Sequence, residues 1–253
     1  MTDPRPALVR SSIFLPLLAS AFRGTPAPAQ TPSTPAEFSA RVDQYVDPYL
    51  KMGDFSGTIL VARGGQVLVS RGYGNADLEQ SLAPTPATPF AVGSISKTFT
   101  AAAIVMLAQQ GRLQLTDPVA KFLPGFVHGD SITITQLLEH SSGLADYYSW
   151  PAYAAGRMEP IANEVFLSHA QAEPLEFPPG TRSSYSNTGY FVLAAIVEKA
   201  SGISYPDFLA RNLFRPLGMK RSGVMRDGDM PSGRSHSSNR LYIPRDPVHC
   251  QEI

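Results

Sequence analysis

Ser94 and Lys97 stand three residues apart in Ser94-Ile95-Ser96-Lys97, a spacing that places both side chains on one face of a helix. A serine hydroxyl is a weak nucleophile until a neighbour accepts its proton, and an amine partly withdrawn from water is a suitable acceptor. The pair therefore suits attack on a carbonyl, with backbone N–H groups at the helix start available to an oxyanion. Tyr185-Ser186-Asn187 adds a phenol for proton relay and an amide able to bond both a lysine and a substrate carbonyl. Both patterns are short, and each has an ordinary alternative. Ser94 can be a helix cap and Lys97 a solvated first-turn residue; Tyr185 can be a loop tyrosine at a helix entrance, with Asn187 capping. Tyr73-Gly74-Asn75 has the form of the second pattern but ends a β-rich run before a turn, and reads as a chance match.

The elements that must position these residues follow from periodicity and caps. Phe38, Val42, Val46 and Leu50, with Tyr45 and Tyr49 alongside, recur at helical spacing and stop at Gly53. Two β-rich runs, Gly57 to Ala62 and Val67 to Arg71, flank Arg63-Gly64-Gly65-Gln66, where adjacent glycines suit a tight hairpin. After a Pro- and Thr-rich loop, Lys97 to Gln110 is helical and ends at Gly111. Asp117-Pro118 predicts a further helix start, Thr133 with Gln136 a capping box, Thr188 to Ala200 a helix ending at Gly202, and Pro206 to Leu213 a last one. The expected class is α+β, with strands only near the start. A lone hairpin cannot bury its own apolar face, so it needs more strands or a covering layer. Residues 225–253 are polar and without sustained periodicity, an irregular tail.

Bulk properties narrow the function classes. The 253 residues are 43% apolar, enough for a core, and carry 21 basic and 21 acidic side chains. A net charge of zero offers nothing long-ranged to nucleic acid. Cys250 is the sole cysteine, which excludes an intrachain disulfide and a Cys-based zinc site, and no two histidines share ligand spacing. No metal and no cofactor are expected. Residues 1–29 read as a secretory signal peptide: Arg5 and Arg10, an apolar stretch from Ser11 to Phe22, then Ala27-Pro28-Ala29 at a cleavage position. The stretch is too short to span a bilayer, so the expectation is an exported protein, periplasmic or extracellular, with no transmembrane segment. Residues 30–37 read as a linker.

Longer strings around the two patterns carry a family resemblance. Phe90-Ala-Val-Gly-Ser94-Ile-Ser-Lys97-Thr-Phe-Thr-Ala101 resembles the nucleophile segment of class C β-lactamases and of their relatives, the serine D,D-peptidases and family VIII esterases. Leu137-Leu-Glu-His140-Ser-Ser-Gly143-Leu, Phe177-Pro-Pro-Gly180, Tyr185-Ser-Asn187-Thr-Gly-Tyr190 and Pro216-Leu-Gly-Met219 follow in the family's order. The likeness runs from about Phe38 to Val224, a β-lactamase-like serine hydrolase domain. It implies an antiparallel sheet flanked by helices, an all-helical region, and an active site in the cleft between them. It implies further that Ser94 forms the acyl-enzyme, Lys97 takes its proton, Tyr185 assists proton transfer, and Asn187 holds substrate and Lys97. Tyrosine in place of the serine of an S-D-N motif favours the class C branch over class A.

The family's third motif, K-T-G or H-x-G, does not occur after Tyr185; Ser235-His236-Ser237-Ser238 lacks the glycine. The expectation is therefore a chain truncated or frame-shifted after residue 224. Two readings stand. One is a serine hydrolase acting on a β-lactam, a D-Ala-D-Ala peptide or an ester; the other is an inactive homologue that binds peptidoglycan or a protein partner. Tyr147, Tyr148 and Trp150 can equally line a substrate groove or pack as a cluster.

Overall fold

The computed structural model describes residues 34–75, 83–154 and 162–224. The expected signal peptide, Ser235–Ser238 and the tail from 225 lie outside the described residues. Helix α1 spans Pro35–Met52, three residues earlier than the periodicity indicates. Thr34 and Glu37 form a reciprocal capping box around Pro35, and Gly53 closes the other end with a φ of 75°. The Pro- and Ala-rich composition that reads as linker hides this start signal. Strands β1 (Gly57–Arg63) and β2 (Gln66–Tyr73) pair antiparallel, Gly57 opposite Tyr73 and Arg63 opposite Gln66. Gly64 and Gly65 both have positive φ, as a two-residue hairpin turn demands. Asp43 of α1 ties the helix to β2, accepting from Arg71 at 2.5 Å and from the Tyr73 hydroxyl at 2.7 Å. Tyr73 is buried in that packing, so Tyr73-Gly74-Asn75 serves structure.

The rest is helical: α2 (Ser96–Gln109), α3 (Ile134–Leu138), α4 (Pro151–Ala154), α5 (Asn163–Ala172), α6 (Asn187–Ser201) and α7 (Tyr205–Leu209), which runs on into a π turn over Ala210–Phe214. Helix α6 is central, with every residue from Thr188 to Val197 buried. A helix apolar all round is stable only when enclosed. The α2 side chains Ala103, Ile104 and Leu107, Leu137 of α3, Phe166 of α5 and Phe208 of α7 belong with α6 to one contiguous core. Full burial of a large apolar side chain contributes about 1.5–3 kcal/mol. Thr100 and Tyr205 add a buried polar tie between α2 and α7, their hydroxyls 2.6 Å apart.

Two expectations need correction. Asp117-Pro118 does not open an α-helix: Val119–Lys121 is a single 3-10 turn, and Pro118 pairs in an isolated antiparallel bridge with Thr133. The Asp117 carboxylate instead accepts from the Gln114 N–H and from Lys121, each at 2.7 Å. Helix α5 is absent from the periodicity reading because it buries only Phe166 and Ala170, too narrow a stripe to register. The open question over the aromatic segment resolves mainly to packing. Tyr147 and Trp150 are buried beside Phe166 and Tyr153 is buried against Tyr147, whereas Tyr148 remains 47% exposed.

Candidate active site

Ser94 lies in a 3-10 turn, Gly93–Ile95, that leads directly into α2. Gly93 enters the turn at a φ of 51°, in the left-handed region. The position before α2 is held by Ile95, and no side chain caps the helix, so Ser94 is not spent as a cap. Its Oγ sits 2.6 Å from the Tyr185 hydroxyl and 3.3 Å from Lys97 Nζ. Lys97 is half-buried and does not extend into solvent. It donates to Asn187 Oδ1 at 2.6 Å, with the rings of Tyr185 and Tyr190 at 5.0 and 5.5 Å from its nitrogen. All four residues singled out in the sequence therefore meet in one cluster.

The start of α6 explains how Asn187 is available. Ser186, not Asn187, is the cap, its hydroxyl accepting from the Gly189 N–H at 3.3 Å. Asn187 is thus the first helical residue and its amide is free to face Lys97. Tyr185, one residue before the cap, is 52% exposed, and Ser94 is exposed as well. Reagents from solvent can reach the hydroxyl, while Lys97 and Asn187 form the floor beneath it.

Two further residues contact this cluster, and neither was assigned a role from the sequence. Asp146 Oδ2 accepts from the Asn187 backbone N–H at 2.7 Å and from Asn187 Nδ2 at 2.9 Å. His140 Nδ1 accepts from the Ser186 N–H at 3.2 Å, and its ring lies 4.6 Å from that of Tyr185 and 5.1 Å from that of Tyr190. Burial, reinforced by the positive charge of Lys97, pushes the His140 imidazole below its ordinary value. Accepting at Nδ1 requires the same neutral form. Burial also pushes the Tyr190 phenol up, and it donates to the Leu138 carbonyl at 3.1 Å. His140 stands in a segment quoted above for resemblance alone; Asp146 has no spacing rule that links it to Asn187. Among the described residues, no group of three or more His, Cys, Asp or Glu side chains is placed to hold a metal ion.

With this geometry in view, comparison with known proteins is consistent throughout. A family model described as Beta-lactamase matches residues 42–249. Penicillin-binding protein 4* of Bacillus subtilis is 40% identical over 173 residues, covering 67% of this chain and 38% of that protein. The putative penicillin-binding protein PbpX of the same organism is 33% identical, over 73% of this chain and 45% of its own. The chain thus spans less than half the length of these two relatives. Among solved structures, the octameric penicillin-binding protein homologue from Pyrococcus abyssi superposes with a TM-score of 0.65 at 32% identity, covering 76% of this chain and 46% of that one. EstCE1, a hydrolase with promiscuous acyltransferase activity, gives a TM-score of 0.68 at 26% identity over 76% of this chain and 54% of its own. Sequence and fold together show that the chain belongs to the β-lactamase family, related to penicillin-binding proteins.

Proposed function

We propose that this chain is a serine hydrolase that works through an acyl-enzyme on Ser94. The observation that carries this reading is the position of Ser94 Oγ, within 3.3 Å of both Lys97 Nζ and the Tyr185 hydroxyl and open to solvent. In the reactive form Lys97 is a free amine. Its lone pair takes the Ser94 proton as Oγ bonds to the substrate carbonyl carbon, and the carbonyl π pair moves onto oxygen. The Ser94 backbone N–H, at the positive end of α2, donates to that oxyanion. As the carbonyl re-forms, the bond to the leaving group breaks, and the proton passes through Tyr185 to the departing nitrogen or oxygen. Water then attacks the ester, giving up a proton by the same route, and releases the acid with Ser94 regenerated.

The proposed substrates are carboxyl derivatives: a β-lactam, a D-Ala-D-Ala peptide or a simple ester. The tyrosine in the second motif favours the class C branch, and penicillin-binding proteins among the relatives suit a peptide or β-lactam. Export is proposed on the basic, then apolar, then small-residue order of residues 1–29. No helix of the described residues is long and apolar enough to cross a membrane.

A fluorescent penicillin and an activated aryl ester, each applied to wild type and to Ser94→Ala, test the reading. Labelling or turnover lost in the variant is the expected result. A folded chain that takes neither reagent favours instead the inactive, peptidoglycan- or protein-binding homologue.

A further inference from the structure

We propose that Asp146 is a positioning residue for the acyl transfer, acting through the side-chain amide of Asn187; this rests on the reading of Ser94 as the nucleophile. An asparagine amide has two ends of nearly the same shape and opposite hydrogen-bonding character. Toward Lys97 the oxygen end is the useful one: the lysine nitrogen, 2.6 Å away, donates to it, and in the reactive form its single lone pair is committed to the Ser94 proton. Nothing intrinsic to Asn187 selects that orientation. The selection comes from the far end, where Nδ2 lies 2.9 Å from Asp146 Oδ2, an oxygen that also accepts from the Asn187 backbone N–H.

The carboxylate is itself held in place. Oδ2 also takes the Asn187 backbone N–H at 2.7 Å, and Oδ1 takes the Tyr148 N–H at 3.0 Å as the cap of the Tyr147–Ser149 turn. Three donors thus converge on two acceptor oxygens of one half-buried side chain. A carboxamide at position 146 has one acceptor oxygen and must turn its NH2 toward at least one of those donors. With the NH2 toward Asn187, the Asn187 amide is driven to flip, presenting Nδ2 to Lys97 and displacing the lysine from Ser94. With the NH2 toward Tyr148, the cap of that turn is lost and a single amide oxygen holds Asn187 more weakly than a carboxylate does. Asp146 touches neither Ser94 nor Lys97 through any hydrogen bond described above, so its influence runs through Asn187.

A double-mutant cycle on the full 253-residue chain tests this, with hydrolysis of an activated aryl ester as the readout. Asp146→Asn is expected to lower kcat by about tenfold or more with KM within about twofold of wild type, the pattern of a lost transition-state contact. In an Asn187→Ala background the same substitution is expected to change kcat by less than about twofold, because the group it acts through is gone. An Asp146→Asn variant as fast as wild type overturns the proposal. So does an equal loss with and without the Asn187 amide, which marks a merely structural role. The side-chain amide NMR resonances of Asn187 provide a readout independent of turnover: they should shift in Asp146→Asn, and unchanged resonances overturn the proposal. If Ser94→Ala hydrolyses the ester as well as wild type, the nucleophile reading fails, and the NMR result alone decides whether Asp146 orients the amide.

Discussion

Ser94 Oγ and the Tyr185 hydroxyl lie 2.6 Å apart although the residues are separated by 91 positions. The contact exists because two helix N-termini face each other: the turn ahead of α2 carries Ser94, and the residue before the cap of α6 carries Tyr185. Both helices are fixed by the same buried core, so the pair inherits its geometry from packing rather than from a loop. The chemistry proposed for the site needs that rigidity, since misplacing a reacting group by about 1 Å can cost on the order of a hundredfold in rate.

Tyr185→Phe removes the hydroxyl from a half-exposed ring and leaves the core untouched. Loss of an acid–base group costs about a hundredfold or more. The deficit is expected to be larger for an alkyl ester or a β-lactam, whose leaving groups need a proton, than for an aryl ester, whose leaving group departs as a stable anion. Measuring kcat/KM for the two substrate types checks this; equal deficits would argue against a relay through Tyr185.

His140 is expected to make the stability of the fold sensitive to acid. Its pKa is lowered in the fold by burial and by Lys97, so the unfolded chain binds the proton first as pH falls. The neutral ring's contribution to stability is therefore fully present above the unfolded value of about 6.5 and is lost as pH drops through the folded value. His140→Asn keeps an acceptor for Ser186 and suits the left-handed backbone here, where φ is 57°. Thermal unfolding followed from pH 7.5 to 5 should show a shallower decline for this variant than for wild type. Parallel declines would assign the acid sensitivity elsewhere.

Gly143 sits at the junction that carries His140 and Asp146 to the site. It has a φ of 79°, and a Cβ added there would meet the Phe177 carbonyl oxygen at 2.2 Å. Its own carbonyl accepts from the Glu176 N–H at 2.9 Å, so neither segment can retreat without breaking that bond. Left-handed backbone costs a non-glycine residue about 1–2 kcal/mol, and the clash adds to it. Gly143→Ala should lower unfolding stability by about 2 kcal/mol or more, measured by denaturant titration. A change within about 0.5 kcal/mol, the size of an ordinary surface substitution, would contradict the tight approach.

What the sequence disclosed depended on the range of the interaction. The capping box of Thr133 and Gln136, the glycine stops at Gly53 and Gly202 and the Gly64-Gly65 turn are local devices, and the fold uses each of them. Asp117-Pro118 carries the same kind of local signal, yet the bridge between Pro118 and Thr133 overrides it, a partner 15 residues away that no cap rule can foresee. Ser94 with Lys97 is legible from helical spacing, although Ser94 itself lies in the 3-10 turn that leads into α2. Their meeting with Tyr185 and Asn187 was legible only through family likeness, because it depends on how α2 packs against α6. No local signal marks a link from Asp146 to Asn187: a carboxylate in a turn ordinarily caps that turn, and Asp146 does so for Tyr148 while its other oxygen holds Asn187.

The central claim is that Ser94 Oγ is the atom acylated. Intact-mass measurement of the full chain quenched soon after mixing with an aryl ester or a penicillin, followed by peptide mapping, addresses it directly. One added acyl mass located on Ser94, and absent from Ser94→Ala, is the predicted result. An adduct on another residue, or one that persists in Ser94→Ala, would contradict it.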